Sequence, residues 1–305
     1  MSIGKKPQKS RFTRRSTAEQ VTEAVDLSGK NIVITGANSG LGFESMRVLT
    51  ERGAHVIAVA RTLEKAQQAC DKVNAETTPV ACELSELESV VSCADTIEAM
   101  DIPIDVLLTN AGIMALPKLE QKMGLEMQFL TNHLGHFVLV NRLLERVKEA
   151  QAGRVVILSS LAHMQAPRGG IQFDNLSGEK RYSGWSFYGQ SKLANLLTSN
   201  ELARRLEGSN ATSNAVHPGI IDTNLGRHMR GIASSFISLV TLPIKRSVPQ
   251  GAATQCYVAS HPNLDGVSGR YFADSNSAWT SRYARDEKLA KRLWEVSEEL
   301  TADFL

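Results

Sequence analysis

Short apolar runs alternate along the chain with longer stretches whose apolar residues recur at helical spacing. Each run is five or six residues long and is bounded by turn-forming residues, which is typical of strands buried in a parallel sheet. The predicted strands are 31–35, 55–60, 79–83, 104–109, 154–158 and 211–216. The predicted helices include 16–25, the stretch from the first glycine loop to about 52, 85–100, 121–150 and 186–207. This alternation predicts an α/β fold, a single-domain Rossmann doubly wound parallel sheet with helices on both faces.

Composition supports a soluble globular protein, with 42% hydrophobic and 22% charged residues. The net charge of +2 conceals a basic start, because the first sixteen residues contain six lysines or arginines and no acidic residue. Such a tail is suited to membrane or nucleic-acid contact, but we expect a disordered, solvated extension. We therefore divide the chain into a basic N-terminal extension, 1–28, made of a tail and a short helix, and a main domain, 29–305.

Several classes of protein are not expected from this sequence. It shows no secretory leader and no apolar run long enough to span a bilayer, so we expect a cytoplasmic protein without a membrane span or a nucleic-acid partner. The four cysteines have neither metal-ligand nor disulfide-framework spacing. His133 and His136 lie three residues apart, but no third ligand accompanies them, so we expect packing or hydrogen bonds and no metal.

A glycine loop follows the first predicted strand and opens the first long helix. Glycines in this position permit a tight turn, let backbone approach a pyrophosphate, and let the helix pack closely on the strand. The helix N-terminus then presents free N–H groups to the anion. The order strand, loop and helix favours dinucleotide binding over an ordinary connection. The candidate cofactor-binding residues in this loop are Gly36, Asn38, Ser39, Gly40, Leu41 and Gly42.

The residue after the second strand indicates which dinucleotide is bound. An acidic residue near this position binds the ribose 2′-OH of NAD, whereas an arginine accommodates the 2′-phosphate of NADP. Here Arg61 follows the strand directly, and Thr62 is placed to cap the next helix or to bind phosphate. NADP(H) is therefore the predicted cofactor, and NAD(H) is the alternative.

Ligands of open parallel sheets bind beyond the carboxyl ends of the strands. Five motifs of this sequence fall at such ends, on five different strands: Gly36, Arg61, Asn110, Ser160 and Pro218-Gly219. The predicted helix 186–207 carries Tyr188 and Lys192 one turn apart, on the same face. An ammonium group beside a phenol favours the phenolate and lowers the tyrosine pKa, which suits a proton donor and acceptor.

These motifs together resemble those of the short-chain dehydrogenase/reductase family. Residues 35–42 are similar to its cofactor loop, Thr109-Asn110-Ala111-Gly112 to its Asn-Asn-Ala-Gly stretch, and Tyr188-x-x-x-Lys192 to its signature pair. Pro218-Gly219-x-x-x-Thr223 resembles the loop on the nicotinamide side. The resemblance adds these cofactor-binding residues to the glycine loop and Arg61: Thr62, Glu83, Leu84, Asn110, Ala111, Gly112, Tyr188, Lys192, Pro218, Gly219, Ile220 and Thr223.

The resemblance also implies how the catalytic residues act. Tyr188 would donate a proton to a carbonyl oxygen in reduction, or accept one in alcohol oxidation, and Lys192 would lower its pKa and bind the nicotinamide ribose. Ser160 would hydrogen-bond the substrate oxygen, and Asn132 would order a water that relays the proton. Family members often form dimers or tetramers, so a homodimer or homotetramer is expected.

Finer similarity, in motifs such as Ser268-Gly269-Arg270-Tyr271-Phe272, points to the group of retinol dehydrogenases and WW-domain-containing oxidoreductases. That group often transfers hydride between NADP(H) and lipophilic alcohols or carbonyls, and a small hydrophobic substrate is therefore expected. A substrate loop and lid are expected at about 220–245. The candidate pocket residues, for which core or dimer contact is an equal alternative, are Met114, Leu116, Met164, Trp185, Leu225, Met229 and Phe236. Two other functions stay open: reduction of a C=C bond, and a non-catalytic NADP(H)-binding sensor or scaffold.

Overall fold

The structure is a computed structural model that describes residues 7–221 and 246–305. Within these ranges the strands are β1 Asn31–Thr35, β2 His55–Ala60, β3 Thr77–Ala81, β4 Val106–Thr109, β5 Gln121–Lys122, β6 Leu125–Glu126, β7 Arg154–Leu158, β8 Thr212–His217, β9 Tyr271–Ala273 and β10 Asn276–Ser277. The helices are α1 Ala18–Thr22, α2 Gly40–Glu51, α3 Leu63–Cys70, α4 Leu87–Glu98, α5 Met127–Phe129, α6 Gly135–Glu149, α7 Gly184–Arg205, α8 Val248–Ser260 and α9 Glu287–Leu300.

The main sheet of the described chain has eight strands in the order β10-β9-β8-β7-β4-β1-β2-β3. The pairs from β3 to β9 are parallel, and β10 adds an antiparallel edge. The order reverses between β1 and β4, which is the switch point where doubly wound sheets bind dinucleotides. The predicted fold class is therefore confirmed.

Two apolar cores cover the two faces of the sheet, as the sequence predicts. One lies under α4, α6, α7 and α9 and contains Leu143, Leu197 and Leu293. The other lies under α1, α2 and α8 and contains Met46 and Cys256. Because both faces are buried, the central strands β1, β2, β4 and β7 contain mostly apolar residues.

The single helix predicted over 121–150 is wrong in its first third. β5 and β6 form a small hairpin there, and its turn residues Met123 and Gly124 have φ of 53° and 73°. Backbone with positive φ at both turn positions fits a hairpin turn and ends a helix. Residues Leu130–Leu134 then form a π-helical segment before α6 begins. The apolar spacing predicted the buried side chains correctly, but it did not reveal these backbone changes.

The N-terminal arm, which we define as residues 7–16, is docked on the domain, and this corrects the expectation of a disordered extension. The Ser10 hydroxyl donates to the carbonyl of Ser275 at 2.9 Å. The ring of Phe12 packs edge-on against Tyr257, with ring centroids 5.6 Å apart. The predicted short helix is present as α1, with Thr17 as its N-cap. No described helix is long and apolar enough to cross a membrane.

Candidate active site

A cleft of about 360 Å³ lies at the carboxyl ends of the strands. Eleven predicted cofactor-binding residues line it: Gly36, Asn38, Ser39, Gly40, Leu41, Arg61, Glu83, Leu84, Asn110, Ala111 and Gly112. The structure thus brings together residues that follow four different strands, β1, β2, β3 and β4, and that are up to 76 residues apart in sequence. An elongated cleft at this switch point has the position and the loop chemistry of a dinucleotide site.

The glycine loop is tightly packed where α2 begins. Gly36 turns the chain with φ of 70°. Gly42 lies so close to this turn that a Cβ atom there would stand 2.2 Å from the Gly36 carbonyl oxygen. A side chain at position 42 would therefore push α2 away from the loop, and the helix N-terminus would no longer face a bound anion.

The Thr35 hydroxyl joins three parts of the site. It accepts hydrogen bonds from the backbone N–H groups of Asn110 and Ala111, at 2.9 and 3.0 Å. It also lies 2.9 Å from Nε2 of His136. Nδ1 of His136 contacts the carbonyl oxygen of Asn132, which only accepts, so Nδ1 carries the proton and Nε2 accepts from Thr35. This network fixes the loop after β4 against the helix that carries Asn132.

Asn132 is buried in the π-helical segment, and its side-chain amide is fully engaged by protein groups. Its Oδ1 accepts from the backbone N–H of Ile113 at 2.8 Å. Its Nδ2 donates to the Ile113 carbonyl and to the Ser191 hydroxyl, at 2.9 and 3.0 Å. Asn132 therefore holds the Asn110–Ile113 loop against α7. The role of Asn132 in ordering a water stays a prediction. Because these bonds occupy the side-chain amide, that role would fall to the Asn132 backbone.

Arg61 and Glu83 form an ion pair at the other end of the cleft, with Nε of Arg61 3.0 Å from Oε2 of Glu83. The Arg61 side chain is 62% exposed, and its ion pair with Glu83 is made through Nε. Lys65 also lines this end of the cleft, although no sequence motif predicted it as a site residue. Thr62 instead caps α3 by accepting from the backbone N–H of Lys65, so its predicted capping is confirmed.

Tyr188 and Lys192 project from the same face of α7, with the Lys192 ammonium 5.7 Å from the centre of the Tyr188 ring. Nζ of Lys192 donates to the carbonyl of Leu158, the last residue of β7, at 3.2 Å. Ser160 lies just beyond that strand, and the interaction of its side chain with the Tyr188 phenol lowers the pKa of Tyr188. The three side chains therefore converge at the carboxyl end of β7, as the sequence predicts.

The proton affinities of this pair differ from the sequence-based expectation. Burial raises the pKa of Tyr188 to about 12, and the hydrogen bond from Ser160 only partly opposes it. Burial also lowers the pKa of Lys192, to about 8. The expected lowering of the Tyr188 pKa towards neutrality is therefore not met in the protein alone, since desolvation disfavours the phenolate.

The histidines near the site serve the structure through hydrogen bonds. His133 and His136 are buried and bonded to Ser297 and Thr35, which confirms the expectation of local hydrogen bonds. His163 donates from Nδ1 to the carbonyl of Ser160 at 2.6 Å and accepts at Nε2 from the N–H of Ser281. Within 7–221 and 246–305, no three His, Cys, Asp or Glu side chains are grouped to hold a metal ion.

The loop after β8 is predicted to lie on the nicotinamide side of the site. Pro218, Gly219 and Ile220 follow the strand directly, and the Gly219 backbone has φ of 95°. Thr223 and the predicted lid residues beyond Ile221, including Leu225, Met229 and Phe236, lie outside the described residues. The structure therefore describes this loop as far as Ile221.

Several large apolar side chains are exposed in the segments that carry or follow the predicted site residues. Trp185 is 43% exposed, and its ring lies edge-on to that of Tyr188, with centroids 6.2 Å apart. Leu161 follows Ser160, Ile220 follows Gly219, and both are 42% exposed. Met164 is exposed as well, whereas Leu116 is buried and Met114 lines the nucleotide cleft. Of the predicted pocket residues, Met164 and Trp185 are therefore exposed, as are Leu161 and Ile220, and the apolar substrate pocket stays a prediction.

This combination of strand order, glycine loop and Tyr-Lys pair defines a dinucleotide-binding dehydrogenase. Residues 30–231 match the family described as short chain dehydrogenase. Because that match covers most of the sequence, the chain belongs to this family of NAD(P)(H)-binding oxidoreductases.

Individual relatives support the same assignment. The chain is 44% identical to short-chain dehydrogenase TIC 32 B, chloroplastic, of Brassica napus, with 96% of this chain and 95% of the relative covered. It is 40% identical to mouse retinol dehydrogenase 12, with 92% and 88% covered. A solved structure of an uncharacterised protein from Mycobacterium paratuberculosis is 34% identical and superposes with a TM-score of 0.74, covering 92% of this chain and 97% of that one. The similarity to retinol dehydrogenases is therefore confirmed.

Proposed function

We propose that the protein is an NADP(H)-dependent oxidoreductase that transfers a hydride between the nicotinamide and a lipophilic alcohol or carbonyl substrate. The observation that carries the proposal is the convergence of Tyr188, Lys192 and Ser160 at the end of β7, beside the nucleotide cleft. A bound nicotinamide supplies the hydride, and the protein supplies position and the proton.

The choice of NADP(H) rests on charge at the adenosine end of the cleft. Arg61 and Lys65 both line this end, and a 2′-phosphate adds negative charge that two cations stabilise. Glu83 reduces the net positive charge by pairing with Arg61 through one guanidinium nitrogen. NAD(H), which lacks this phosphate, gains less from the two cations.

The proton step is assigned to Tyr188. With a pKa raised by burial to about 12, Tyr188 is a neutral phenol at physiological pH, which is the form that donates a proton to a carbonyl oxygen. The Ser160 hydroxyl interacts with this phenol and is proposed to hold the same substrate oxygen. Lys192 stabilises negative charge on Tyr188 after the proton leaves, because an ammonium favours a nearby phenolate.

The lipophilic substrate is inferred from the exposed ring of Trp185 beside Tyr188, and from the exposed side chains of Leu161, Met164 and Ile220, which follow Ser160 and Gly219 in sequence. Large apolar side chains grouped around a polar reaction centre are the usual lining of a site for a hydrophobic ligand. One relative, mouse retinol dehydrogenase 12, is named for its action on such an alcohol.

The decisive test is oxidation of NADPH with a panel of hydrophobic ketones, aldehydes and quinones. Tyr188→Phe should lower turnover by at least about a hundredfold, the usual contribution of a positioned acid, while NADPH affinity changes little. Tyr257→Phe is the matched control, since its buried hydroxyl has no hydrogen-bond partner among the described residues. Full turnover by Tyr188→Phe would refute the assignment.

The same assay separates the alternatives. Tight NADPH binding without oxidation by any compound would favour a sensor or scaffold. Product analysis that shows a saturated C–C bond with the carbonyl intact would identify a C=C reductase.

Size-exclusion chromatography with light scattering tests the predicted homodimer or homotetramer. Cell fractionation tests the predicted cytoplasmic location. The alternative is the chloroplast, the location stated in the name of the Brassica napus relative.

A further inference from the structure

Arg246 holds the loop that follows β8 through both its backbone and its side chain. Its backbone N–H donates to the carbonyl of Ile220 at 2.9 Å, and Ile221 forms a parallel bridge with it. Its Nη1 donates to the carbonyl of Pro218 at 3.4 Å. The Arg246 side chain is only 13% exposed, so these contacts are shielded from water.

The side chain of Arg246 also lies directly on Gly219. A Cβ atom at position 219 would stand 2.5 Å from Cδ, Nε and Cζ of Arg246. The arginine therefore fills the space that a side chain would occupy, and the path of the loop backbone depends on where the guanidinium group is held.

Asp274 holds that guanidinium group by an ion pair between its carboxylate and Nη2 of Arg246. It occupies the turn between β9 and β10, where Asp274 and Ser275 have φ of 55° and 56°. Backbone in this region is unfavourable for residues other than glycine and persists where neighbouring groups fix it. Asn276 donates to the Asp274 carbonyl at 2.9 Å, and the Ser275 N–H donates to the Thr254 hydroxyl. The turn thus presents the carboxylate from a fixed position.

We propose that Arg246 and Asp274 are a positioning pair that fixes the Pro218-Gly219-Ile220 loop against the nicotinamide half of the bound cofactor. The proposal rests on the proposed function, in which this loop lies on the nicotinamide side of the site. Neither residue touches the reacting atoms. The pair acts by removing the freedom of a loop that would otherwise be ordered only when the cofactor binds, and this lowers the entropic cost of binding.

The test compares two ligands that share the adenosine end, NADPH and adenosine 2′,5′-bisphosphate, by titration with the full-length protein. Asp274→Asn should weaken NADPH binding about tenfold, because it removes the charge that holds the Arg246 guanidinium, and this loss is equivalent to about 1.4 kcal/mol. Affinity for adenosine 2′,5′-bisphosphate should stay within about twofold, because Arg61 and Lys65 lie at the other end of the site. Equal losses of affinity for both ligands, or no loss for either, would overturn the proposal that Arg246 and Asp274 position the loop.

A matched control and a second variant make the comparison sharper. Asp265→Asn breaks a similar ion pair, with Arg154. Arg154 is the first residue of β7 and so lies at the amino ends of the strands, opposite to the site. It should leave both affinities unchanged, and a loss of NADPH affinity equal to that of Asp274→Asn would overturn the proposal.

The Arg246→Gln variant should resemble Asp274→Asn, and the double variant should lose no more than either one. Additive losses would show that the two residues act separately and would overturn the pair. Wild-type protein that binds neither ligand would refute the proposed cofactor, whereas wild-type binding with unaffected variants would refute the pair alone.

Discussion

Thr35 and His136 are joined by a buried hydrogen bond, in which the threonine hydroxyl donates to Nε2 of the neutral imidazole at 2.9 Å. The same hydroxyl accepts from two backbone N–H groups of the Asn110–Ala111 loop. Its one proton and two lone pairs are therefore all in use. Burial lowers the pKa of His136 to about 4, which keeps the ring neutral and able to accept.

The first prediction concerns this bond. Thr35→Val and His136→Phe should each lower the free energy of unfolding by about 1–3 kcal/mol, because each leaves buried polar groups without partners. Each should also weaken NADPH binding, since the Asn110–Ala111 loop lines the nucleotide cleft. Urea unfolding and NADPH titration measure the two effects. In the double variant the losses should fall short of the sum by about 1 kcal/mol, whereas full additivity would contradict the network.

The second prediction concerns the cations of the adenosine end. Arg61→Ala should weaken NADPH binding about tenfold or more and NADH binding little, because a charged hydrogen bond contributes about 1.5–3 kcal/mol. Glu83→Gln should have the opposite sign and tighten NADPH binding, since it removes the carboxylate that pairs with Arg61. Fluorescence titration with both cofactors measures these affinities. Equal losses of NADPH and NADH affinity in Arg61→Ala would argue against the 2′-phosphate contact.

The third prediction is a pH profile. Reduction uses Tyr188 as a neutral phenol and Lys192 as an ammonium, and burial lowers the Lys192 pKa to about 8. The kcat for carbonyl reduction should therefore be flat from pH 6 to 7.5, since that is below the Lys192 pKa, and should decline as pH rises through about 8. Alcohol oxidation requires the phenolate, so it should increase with pH in the same interval. Stopped-flow measurement of hydride transfer in both directions provides the check. A reduction rate that rises through pH 8 would contradict the assignment.

The sequence was sufficient to predict six of the eight strands of the sheet, because local signals and the global fold agree there, whereas β9 and β10 were not predicted. Residues 31–35, 55–60 and 154–158 are apolar, bounded by turn residues, and buried on both faces, so their limits were predicted correctly. The glycine loop and the Tyr188–Lys192 spacing are local patterns too. Their convergence on one cleft followed from the rule that ligands bind at the carboxyl ends of parallel strands.

The features that were missed depend on contacts between distant segments. Lys65 enters the cleft because Thr62 caps α3 and sets its direction, and no motif marks a lysine on an exposed helix. The raised pKa of Tyr188 depends on its burial, which a two-residue spacing argument does not contain. The N-terminal arm has the charge of a disordered tail, but its single aromatic residue, Phe12, finds a partner 245 positions along the chain, Tyr257.

The fourth prediction tests the docking of that arm. Phe12→Ala should lower the free energy of unfolding by about 1–2 kcal/mol, because it removes a partly buried ring packed against Tyr257 and His261. Lys9→Ala, in the same arm, should change it by less than about 0.5 kcal/mol, as exposed substitutions usually do. Urea unfolding measures both variants. Equal stability of Phe12→Ala and wild type would show that the arm does not pack in solution.

The fifth prediction follows from His133, which lies between Phe129 and Phe137 and donates from Nε2 to the Ser297 hydroxyl. Ser297 donates its own proton to the carbonyl of Leu293, so it must accept from the histidine. Burial lowers the pKa of His133 to about 3, against an ordinary value of 6.5. Between these values the unfolded chain binds a proton at this residue and the folded chain does not. Stability should therefore decrease as pH falls below about 6.5.

The contribution of this one residue is measurable by comparing urea unfolding at pH 7 and pH 5. His133 should account for about 2 kcal/mol of the stability lost over that interval, and His133→Gln should remove this share. Ser297→Ala is the matched control, because it deletes the same hydrogen bond but keeps the histidine. It should lower stability at both pH values and leave the loss between them intact. If His133→Gln showed the full wild-type loss on acidification, proton uptake at this residue could not be its cause.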